Sequence, residues 1–343
     1  MAKLNVLIAG STGYIGIQLI KILIKHKKVN IKFLCGNNSV GRDISLLDNS
    51  LRKYKLPKIV KFQKKFLNDV DVVFTALPNG RAQKISLDLL KKNILIDLAA
   101  DFRLIKSSEY FKWYKLKHKA PENIKRSIYA LPELIGKKIK RYKIIGCPGC
   151  YPTSILIPLI PLIKEKTIST KDIIVDSKSG YSGAGRSVHK KYKDKNLYDS
   201  IRAYGVGFHR HNGEIDQELN IIGKKKVSYT FTPHLSPMFR GILSTIYLDL
   251  KKNVSVNRIQ NILKRYYKKN KFIKILPLNT IIGTSEVMNT NNCYISLCKT
   301  RYKNKVILLS AIDNLIKGGA GQAVQNMNLR FGINEYEGLK WEK

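Results

Sequence analysis

Residues 4–16 read LNVLIAGSTGYIG, a short apolar run that leads directly into three glycines spaced GxxGxxG. The apolar run Leu4–Ala9 predicts a buried parallel strand, and the helical period of Ile17–His26 predicts a helix. A glycine turn between them can cradle a pyrophosphate on backbone N–H groups at the helix N-terminus. The spacing is a variant of the dinucleotide fingerprint in the required context, and an ordinary tight turn is the alternative. The predicted contacts are Gly10, Ser11, Thr12, Gly13, Tyr14, Ile15 and Gly16.

Short apolar runs continue beyond this turn and alternate with helical patterns. The clearest helical pattern covers Arg81–Lys92. Such alternation predicts an α/β fold in which residues 1–149 form a Rossmann-type, doubly wound parallel sheet. The further strands of that sheet are predicted at Ile31–Cys35, Asp71–Ala76, Ile94–Leu98 and Lys143–Gly146.

The pattern changes after Cys150, where strands become longer or alternate in polarity. One helix, Val256–Lys269, interrupts them, and a final helix, Gly318–Phe331, is rich in Gly and Ala at its start. Residues 150–313 are therefore predicted to form an α+β domain with a mixed or antiparallel sheet. Its strands are predicted at Ile173–Lys178, Val227–Pro233, Ile242–Leu250, Cys293–Cys298 and Val306–Ile312.

The chain has 343 residues, 44% of them hydrophobic, and a net charge of +39. This length predicts two domains. So strong a positive charge is typical of nucleic-acid-binding proteins, but lysines are scattered through almost every segment and no nucleic-acid-binding motif accompanies them. The abundance of Lys, Ile and Asn indicates that the amino-acid composition has drifted with an AT-rich genome. Nucleic acid is therefore not expected as a partner, although a positive field still attracts phosphorylated substrates.

The five cysteines have no metal-ligand spacing, which indicates reduced thiols and no metal site. The apolar run Val6–Ala9 lacks the length and the flanks of a signal peptide. The longest apolar run, Ile155–Ile163, contains two prolines and is far shorter than the roughly 20 residues that span a bilayer. We therefore expect a soluble cytoplasmic protein without a membrane partner.

Cys150 lies in GCPGCYPT, residues 146–153, where a strand-like run ends and an apolar helical pattern follows. At a helix N-terminus, unpaired backbone N–H groups and the helix dipole favour the thiolate form of a cysteine. A thiolate at neutral pH is a nucleophile. A buried cysteine that acts as a small hydrophobe is the alternative, but the Pro-Gly before Cys150 and the Tyr-Pro after it favour chemistry.

Two of the six histidines fall together in GFHRHNGE, residues 207–214. Histidine is the simplest general base near neutral pH, and Glu214 or a backbone carbonyl could orient it. Cysteine with histidine is a recognised nucleophilic pair. A polar loop with incidental histidines is the alternative, because the sequence does not reveal their distance from Cys150.

Two further segments suit anions. Residues 179–186, SGYSGAGR, are flexible and rich in donors, although a surface loop is the alternative. Arg103 follows the carboxyl end of a predicted parallel strand, where α/β sheets bind ligands, and a guanidinium suits a carboxylate or a phosphate. A structural ion pair with Asp97 or Asp101 is the alternative for Arg103.

The end of the second predicted strand carries CGNNS, residues 35–39, where an NAD-specific fold has an acidic residue. Arg42 follows close behind. Because the 2′-phosphate of NADP needs donors and not a competing negative charge, this segment favours NADP. Arg42 as a solvated loop cation is the alternative.

Taken together, these segments resemble the N-acetyl-gamma-glutamyl-phosphate reductase family, NADPH-dependent enzymes of arginine biosynthesis related to aspartate-semialdehyde dehydrogenases. The resemblance runs nearly end to end, and its motifs occur in the family's order. They are GSTGYIG at Gly10, ALPNG at Ala76, IDLAADFRL at Ile96, YALPEL at Tyr129, PGCYPT at Pro148, SGYSGAGR at Ser179, HRHNGEI at His209, FTPHL at Phe231 and DNLIKGGAGQAVQN at Asp313.

The resemblance implies reduction of N-acetyl-L-glutamyl 5-phosphate to the 5-semialdehyde by NADPH, through a thioester on Cys150 and with His209 as acid and base. It implies that the last helix folds back, so that residues 314–343 complete the cofactor domain, and that residues 150–313 also serve oligomerisation as a dimer or tetramer. Further cofactor contacts are expected from Asn37, Ser39, Arg42, Leu77, Pro78, Ser179, Gly180, Gly183 and, at the nicotinamide, Asn314. Substrate contacts are expected from Arg103, Ser182, Arg186, His211 and Glu214.

The chain departs from the family pattern at Cys147, at Asn79 and at Gly213. An aspartate-semialdehyde or aminoadipate-type dehydrogenase of the same fold is the nearest alternative, and HRHNGEI favours the glutamyl enzyme. A basic nucleic-acid-binding protein that retains a dinucleotide fold is the alternative from another class. An inactive homologue is disfavoured because Cys150 and His209 are both present.

Overall fold

The computed structural model describes residues 2–186 and 199–340. The chain divides into two compact units, one formed by the residues up to Pro148 with Gly319–Leu339, the other by Gly149–Gly318 with the residues after Leu339. Within the described ranges, no helix has the length and the apolar character needed to cross a membrane.

The first unit is built on a seven-stranded sheet in the order β3-β2-β1-β4-β5-β7-β6. Every pairing in it is parallel. The order runs outward from β1 in both directions, which is the topology of a doubly wound nucleotide-binding sheet. The Rossmann-type fold predicted for this part of the chain is confirmed. The strands are β1 Leu4–Ala9, β2 Val29–Cys35, β3 Ile59–Val60, β4 Val72–Thr75, β5 Ile94–Asp97, β6 Ser127–Tyr129 and β7 Ile144–Gly146.

Helices and one C-terminal segment cover this sheet. Central strand residues such as Leu7, Val73 and Leu95 are fully buried, as expected of a parallel sheet covered on both faces. The last helix of the chain packs against the first helix and against β5. The helices of this unit are α1 Tyr14–Leu23, α2 Arg81–Leu87, α3 Ser107–Tyr114, α4 Pro121–Ile124, α5 Pro132–Ile135 and, at the end of the chain, α9 Gly321–Phe331.

The second unit has a mixed sheet in the order β12-β13-β14-β11-β8-β10-β9. β10 with β8 and β12 with β13 are parallel pairs, and the other neighbours are antiparallel. The predicted α+β unit with a mixed sheet is confirmed. The strands are β8 Ile173–Gly180, β9 Arg202–Ala203, β10 Tyr229–Ser236, β11 Ile242–Asp249, β12 Ile273–Ile275, β13 Cys293–Lys299 and β14 Lys305–Ile312. The helices are α6 Cys150–Lys164, α7 Asn212–Gly223 and α8 Val256–Tyr266.

Helix α6 is buried on all sides from Tyr151 to Ile163, and it packs against β11, β14, α7 and α8. Pro158 and Pro161 lie inside it. Because Pro161 has no N–H, it cannot bond the carbonyl of Ile157 one turn earlier. The hydroxyl of Tyr267 donates to that carbonyl instead, at 2.5 Å. Pro161 is therefore accommodated by a side chain that follows α8.

Several predicted boundaries were wrong. α1 begins at Tyr14 and not at Ile17, because Gly13 is extended and serves as the N-cap. α2 ends at Leu87 and not at Lys92. The predicted last part of this helix instead forms a turn, in which the Asn93 side chain accepts a hydrogen bond from the Leu90 amide at 2.8 Å. The helix predicted from Val256 stops at Tyr266, short of Lys269. The last α-helix begins at Gly321, after a π-helical turn over Ile316–Ala320.

Candidate active site

The glycine turn after β1 has the tight geometry that its spacing predicts. Gly10 has a φ of +88°, and a Cβ there would lie 2.2 Å from the Ala76 carbonyl oxygen. A Cβ on Gly16 would lie 2.2 Å from the Gly10 carbonyl oxygen. Only glycine fits at these two positions, so the chain turns closely enough to direct the first amides of α1 outward. Ser11, Thr12, Tyr14 and Ile15 lie in the same turn or at the start of that helix.

Two neighbouring loops flank this turn at the carboxyl ends of β2 and β4. Asn37 and Arg42 are exposed in the loop after β2, and Ser39 accepts the Arg42 amide at 3.2 Å. In the loop after β4, a Leu77 methyl lies 3.3 Å from where a Gly10 Cβ would be, and Pro78 follows. The crevice at the carboxyl ends of such strands is where doubly wound sheets bind ligands.

A buried carboxylate organises the loop after β5. Asp97 is fully buried and accepts hydrogen bonds from the Thr75 hydroxyl at 2.8 Å and from the amides of Ala99, Asp101 and Phe102 at 2.9, 2.8 and 3.1 Å. Burial, with the neighbouring Asp101 charge second, raises the pKa of Asp97. The loop that carries Arg103 is thus fixed by backbone hydrogen bonds to one side chain.

Arg103 is itself buried, with 8% of its surface exposed. Its Nε donates to the Cys147 carbonyl at 2.7 Å, and one terminal nitrogen donates to the Leu98 carbonyl at 3.2 Å. These two contacts join the loop after β5 to Cys147, the residue that follows β7. Cys147 is buried too, and burial raises its pKa to about 12.

Cys150 is the first residue of α6, with extended Gly149 as the N-cap. It is half-buried, and its backbone and Cβ face Gly318, where an added Cβ would lie 2.6 Å from the Cys150 Cβ. It lines a cavity of about 340 Å³ in the second unit. The other lining residues are Tyr151, Ser179, Gly183, Ala184, Tyr204, Gly205, Phe208, His209, Arg210 and His211. The structure thus brings Cys150 and both predicted histidines to one cavity.

Aromatic rings enclose His209. Its ring centroid lies 5.6 Å from that of Tyr151, 5.4 Å from Tyr204 and 4.7 Å from His211, each in an edge-to-face arrangement. The Tyr204 hydroxyl donates to the Tyr151 hydroxyl at 3.1 Å, and Tyr151 donates to the His234 carbonyl at 3.2 Å. This packing holds the imidazole in one orientation at the cavity wall.

Glu214 lies below His211 in the first turn of α7 and is fully buried. One carboxylate oxygen accepts the Gly149 amide at 2.8 Å, and the other lies 3.8 Å from Nε2 of His211. Its partners are therefore the residue before Cys150 and a histidine of the cavity.

The segment Ser179–Arg186 begins at the end of β8 and passes the cavity at Ser179, Gly183 and Ala184. The Asn314 amide supports it. Its nitrogen donates to the Ser182 hydroxyl at 3.0 Å, and its oxygen accepts the Gly241 amide at 2.7 Å. Gly180 is backed by the Phe239 carbonyl, and Arg186 is exposed at the end of the segment. In residues 2–186 and 199–340, no cluster of three His, Cys, Asp or Glu side chains is arranged to hold a metal ion.

Comparison with known proteins agrees with this geometry. The model of the semialdehyde dehydrogenase NAD binding domain matches residues 5–142, and that of the semialdehyde dehydrogenase dimerisation domain matches residues 150–314. An N-acetyl-gamma-glutamyl-phosphate reductase of Thermoanaerobacter sp. (strain X514) is 46% identical over 97% of this chain and 96% of its own. Its counterpart from Acinetobacter baumannii (strain AYE) is 43% identical over 98% of both chains. The chain belongs to the N-acetyl-gamma-glutamyl-phosphate reductase family. The resemblance inferred from the motifs is confirmed.

Solved structures share the fold of this family member. Aspartate semialdehyde dehydrogenase II of Vibrio cholerae, complexed with ASA, superposes with a TM-score of 0.69 over 97% of this chain and 99% of its own, at 15% identity. The enzyme of Candida albicans with NADP gives a TM-score of 0.65 over 96% and 98%, at 16% identity. At such identities the likeness concerns the fold alone.

Some residues at this reductase-family site escaped the sequence analysis. Tyr204 and Phe208 line the cavity, and Asp101 ties the loop after β4 by accepting the Gly80 amide at 2.6 Å. Phe208 stands one residue before His209, and Asp101 lies two residues before Arg103. The signal in the sequence for these two residues was their position inside the motifs GFHRHNGE and IDLAADFRL. Tyr204 had none, because it joins the site only through the fold.

Proposed function

We propose that this protein reduces N-acetyl-L-glutamyl 5-phosphate to N-acetyl-L-glutamate 5-semialdehyde with NADPH, a step of arginine biosynthesis. The observation that carries the proposal is one cavity lined by Cys150 at a helix N-terminus and by His209, in a chain 42–46% identical to proteins named for that reaction. The positive end of α6 favours the thiolate of Cys150.

The proposed chemistry uses both residues in turn. Cys150 attacks the acyl phosphate carbon, the C–O bond to phosphate breaks, and a thioester joins the substrate to the sulfur. A nicotinamide cofactor bound on the first unit would supply the hydride that reduces the thioester carbonyl. His209 donates a proton to the resulting oxyanion, which gives a thiohemiacetal, and takes the hydroxyl proton back as the C–S bond breaks to release the aldehyde and the thiolate. A thiolate suits both steps because it is a good nucleophile and a good leaving group.

The cofactor is proposed to lie on the first unit, with its pyrophosphate on the Gly10–Gly16 turn. A nicotinamide cofactor is supported by the match of residues 5–142 to an NAD binding domain. We infer NADP for two reasons. The loop after β2 offers hydrogen-bond donors for a 2′-phosphate at Asn37, Ser39 and Arg42, and no acidic residue stands at the end of β2. Leu77, Pro78, Ser179, Gly180, Gly183 and Asn314 are proposed as further contacts.

Arg42→Ala tests the choice of cofactor. Loss of a charged hydrogen bond to the 2′-phosphate should lower kcat/KM for NADPH roughly 10- to 100-fold and leave NADH unchanged. Arg126→Ala is the matched control, since Arg126 is exposed at the amino end of β6. Equal changes with the two cofactors would argue against a phosphate contact.

Substrate anions are proposed to meet Ser182 and Arg186, which belong to the second unit along with Cys150, whereas the buried ring of His211 lies against Gly149 and is assigned to supporting it. Arg103 is bonded to two backbone carbonyls in the first unit, so we assign it to holding its loop. The buried carboxylate of Glu214 is likewise better placed to support Gly149 than to meet substrate.

We also propose that the second unit forms a homo-oligomer through the open face of its sheet. Ile174 and Tyr247 are exposed there at 49% and 43%, and Tyr247 is paired in register with both Ile174 and Ile307. Two exposed apolar residues on adjacent strands, with half-buried Ile307 beside them, indicate an interface. Tyr247→Lys should shift the mass measured by light scattering to that of a smaller species.

The reaction is tested in the reverse direction, as phosphate-dependent reduction of NADP by N-acetylglutamate semialdehyde. Wild type and Cys150→Ser are compared, and aspartate semialdehyde is the rival substrate. Activity confined to the acetylated substrate and absent from Cys150→Ser is expected. Preference for aspartate semialdehyde would favour the related dehydrogenase. A folded wild type inactive on both, with salt-dependent DNA binding, would favour the nucleic-acid alternative.

A further inference from the structure

Gly149, the residue before Cys150, is in contact with Glu214 of α7 and with His211, the N-cap of α7. Glu214 accepts the Gly149 amide at 2.8 Å. The His211 ring lies against the Gly149 Cα, so closely that an added Cβ would be 2.5 Å from Nε2 and 2.8 Å from both neighbouring ring carbons. Gly149 is extended, with φ −66° and ψ 160°, a conformation open to any residue. A side chain at position 149 is therefore excluded by the His211 ring, and the backbone conformation of Gly149 would tolerate one.

The placement of Glu214 in α7 is unusual for its helix position. It is the third residue of the helix, where a glutamate commonly reaches back to the amide of the N-cap. Here the N-cap is His211, and its amide donates to Nδ1 of His209 at 3.2 Å. Glu214 instead accepts an amide 65 positions earlier in the chain. The positive end of α7 stabilises the buried carboxylate in this place.

We propose that Glu214 and His211 are positioning residues, which fix the turn into α6 and thereby the direction of the Cys150 sulfur. Gly149 is the N-cap of α6, so its amide and its peptide plane set where the helix begins. The same two residues connect that turn to His209. The residue before the nucleophile and the proposed acid, His209, are consequently linked through His211 and Glu214, and this role needs no contact of Glu214 with substrate.

This inference rests on the proposed function only in taking Cys150 as the nucleophile. Glu214→Gln keeps a carbonyl oxygen that can accept the Gly149 amide, and Glu214→Ala removes the acceptor. We expect kcat to fall about 100-fold in the alanine variant, as for a nucleophile displaced by about 1 Å, and KM to change little. The glutamine variant should recover most of the lost kcat. Glu218→Ala, one turn further along α7, is the matched control.

A second readout is independent of the substrate. The rate of alkylation of the Cys150-containing peptide by iodoacetamide, followed by mass spectrometry, should change in Glu214→Ala and return towards wild type in Glu214→Gln. If wild type lacked the reductase activity but this pattern held, the proposed function would fail and the positioning role would stand. A raised KM in both variants, with unchanged alkylation, would instead assign Glu214 to the substrate and overturn the inference.

Should Glu214→Ala fail to fold, Gly149→Ala provides the test. It keeps Glu214 and displaces the His211 ring, because the new Cβ would lie 2.5 Å from Nε2. The same loss of kcat with little change in KM is expected. Wild-type kcat and alkylation in a folded Gly149→Ala would contradict the positioning role.

Discussion

Gly318→Ala should separate activity from stability. Gly318 lies in the π-helical turn after β14, and an added Cβ would be 2.6 Å from the Cys150 Cβ, 3.0 Å from its Cα and 3.3 Å from a methyl of Ile312. Carbon atoms in contact are ordinarily about 3.5–4.0 Å apart. The Cys150 backbone must therefore move by about 1 Å, because the nearest obstacles are not the ends of flexible side chains.

Two opposing effects determine the stability of this variant. Overpacking a buried site costs about 1–3 kcal/mol. Replacing a glycine by alanine at a compatible φ restricts the unfolded chain and contributes about 0.4–1 kcal/mol in the other direction. We therefore expect the free energy of unfolding to fall by about 0–2.5 kcal/mol, which a folded protein tolerates. Displacement of the nucleophile by about 1 Å should lower kcat about 100-fold.

The assay is phosphate-dependent reduction of NADP by N-acetylglutamate semialdehyde, with urea denaturation of the same preparations. Gly283→Ala is the matched control in the same unit. There the nearest atom to a new Cβ is a carboxylate oxygen of Glu286 at 3.3 Å, the end of a flexible side chain. A folded Gly318→Ala with kcat within about twofold of wild type would refute the steric reasoning, because the nucleophile would have tolerated the shift.

Three other changes have clear expected outcomes. Cys147→Ala should retain kcat within about threefold, because a buried thiol with a raised pKa is inert, and inactivation would show otherwise. Gly10→Ala should weaken NADPH binding more than about 10-fold in a fluorescence titration, because the new Cβ would lie 2.2 Å from the Ala76 oxygen, and unchanged affinity would contradict that. Burial lowers the pKa of His26, whose ring is hydrogen-bonded to Asn328. Because the unfolded chain binds a proton at this histidine more readily than the folded protein does, the free energy of unfolding should fall as the pH drops below about 6.5. His26→Gln should flatten this fall in urea titrations, and an unchanged slope would exclude His26 as a source.

Much of the first sheet could be predicted because buried parallel strands leave continuous apolar runs. β1 was predicted with its observed bounds, and β4 and β5 within one residue at each end. The two-residue strand β3 and the three-residue strand β6 were missed. Strands this short have no periodicity of their own, and pairing with β2 and β7 defines them.

The site was predictable only as separate pieces. Cys150 and His209 each had local signals, but they are 59 residues apart in the chain, and only the fold brings both to one cavity. The contact of Gly318 with Cys150 joins more distant segments still. For Arg103 the sequence suggested a ligand or an ion pair at a strand end but could not reveal the two backbone carbonyls to which it donates. Sequence patterns report the chemistry of a residue but not its partners.

Helix α6 has a consequence for the order in which the protein is made. Its residues from Tyr151 to Ile163 are buried, and the elements that cover it, α7, β11, α8 and β14, all follow it along the chain. At about 5–20 residues per second, a ribosome needs about 7–30 s to pass from the end of α6 to the end of β14. During that interval a helix with the apolar run Ile155–Ile163 has been synthesised and its cover has not. The segment that carries the proposed nucleophile is therefore exposed to aggregation during synthesis and is a site where a chaperone can act.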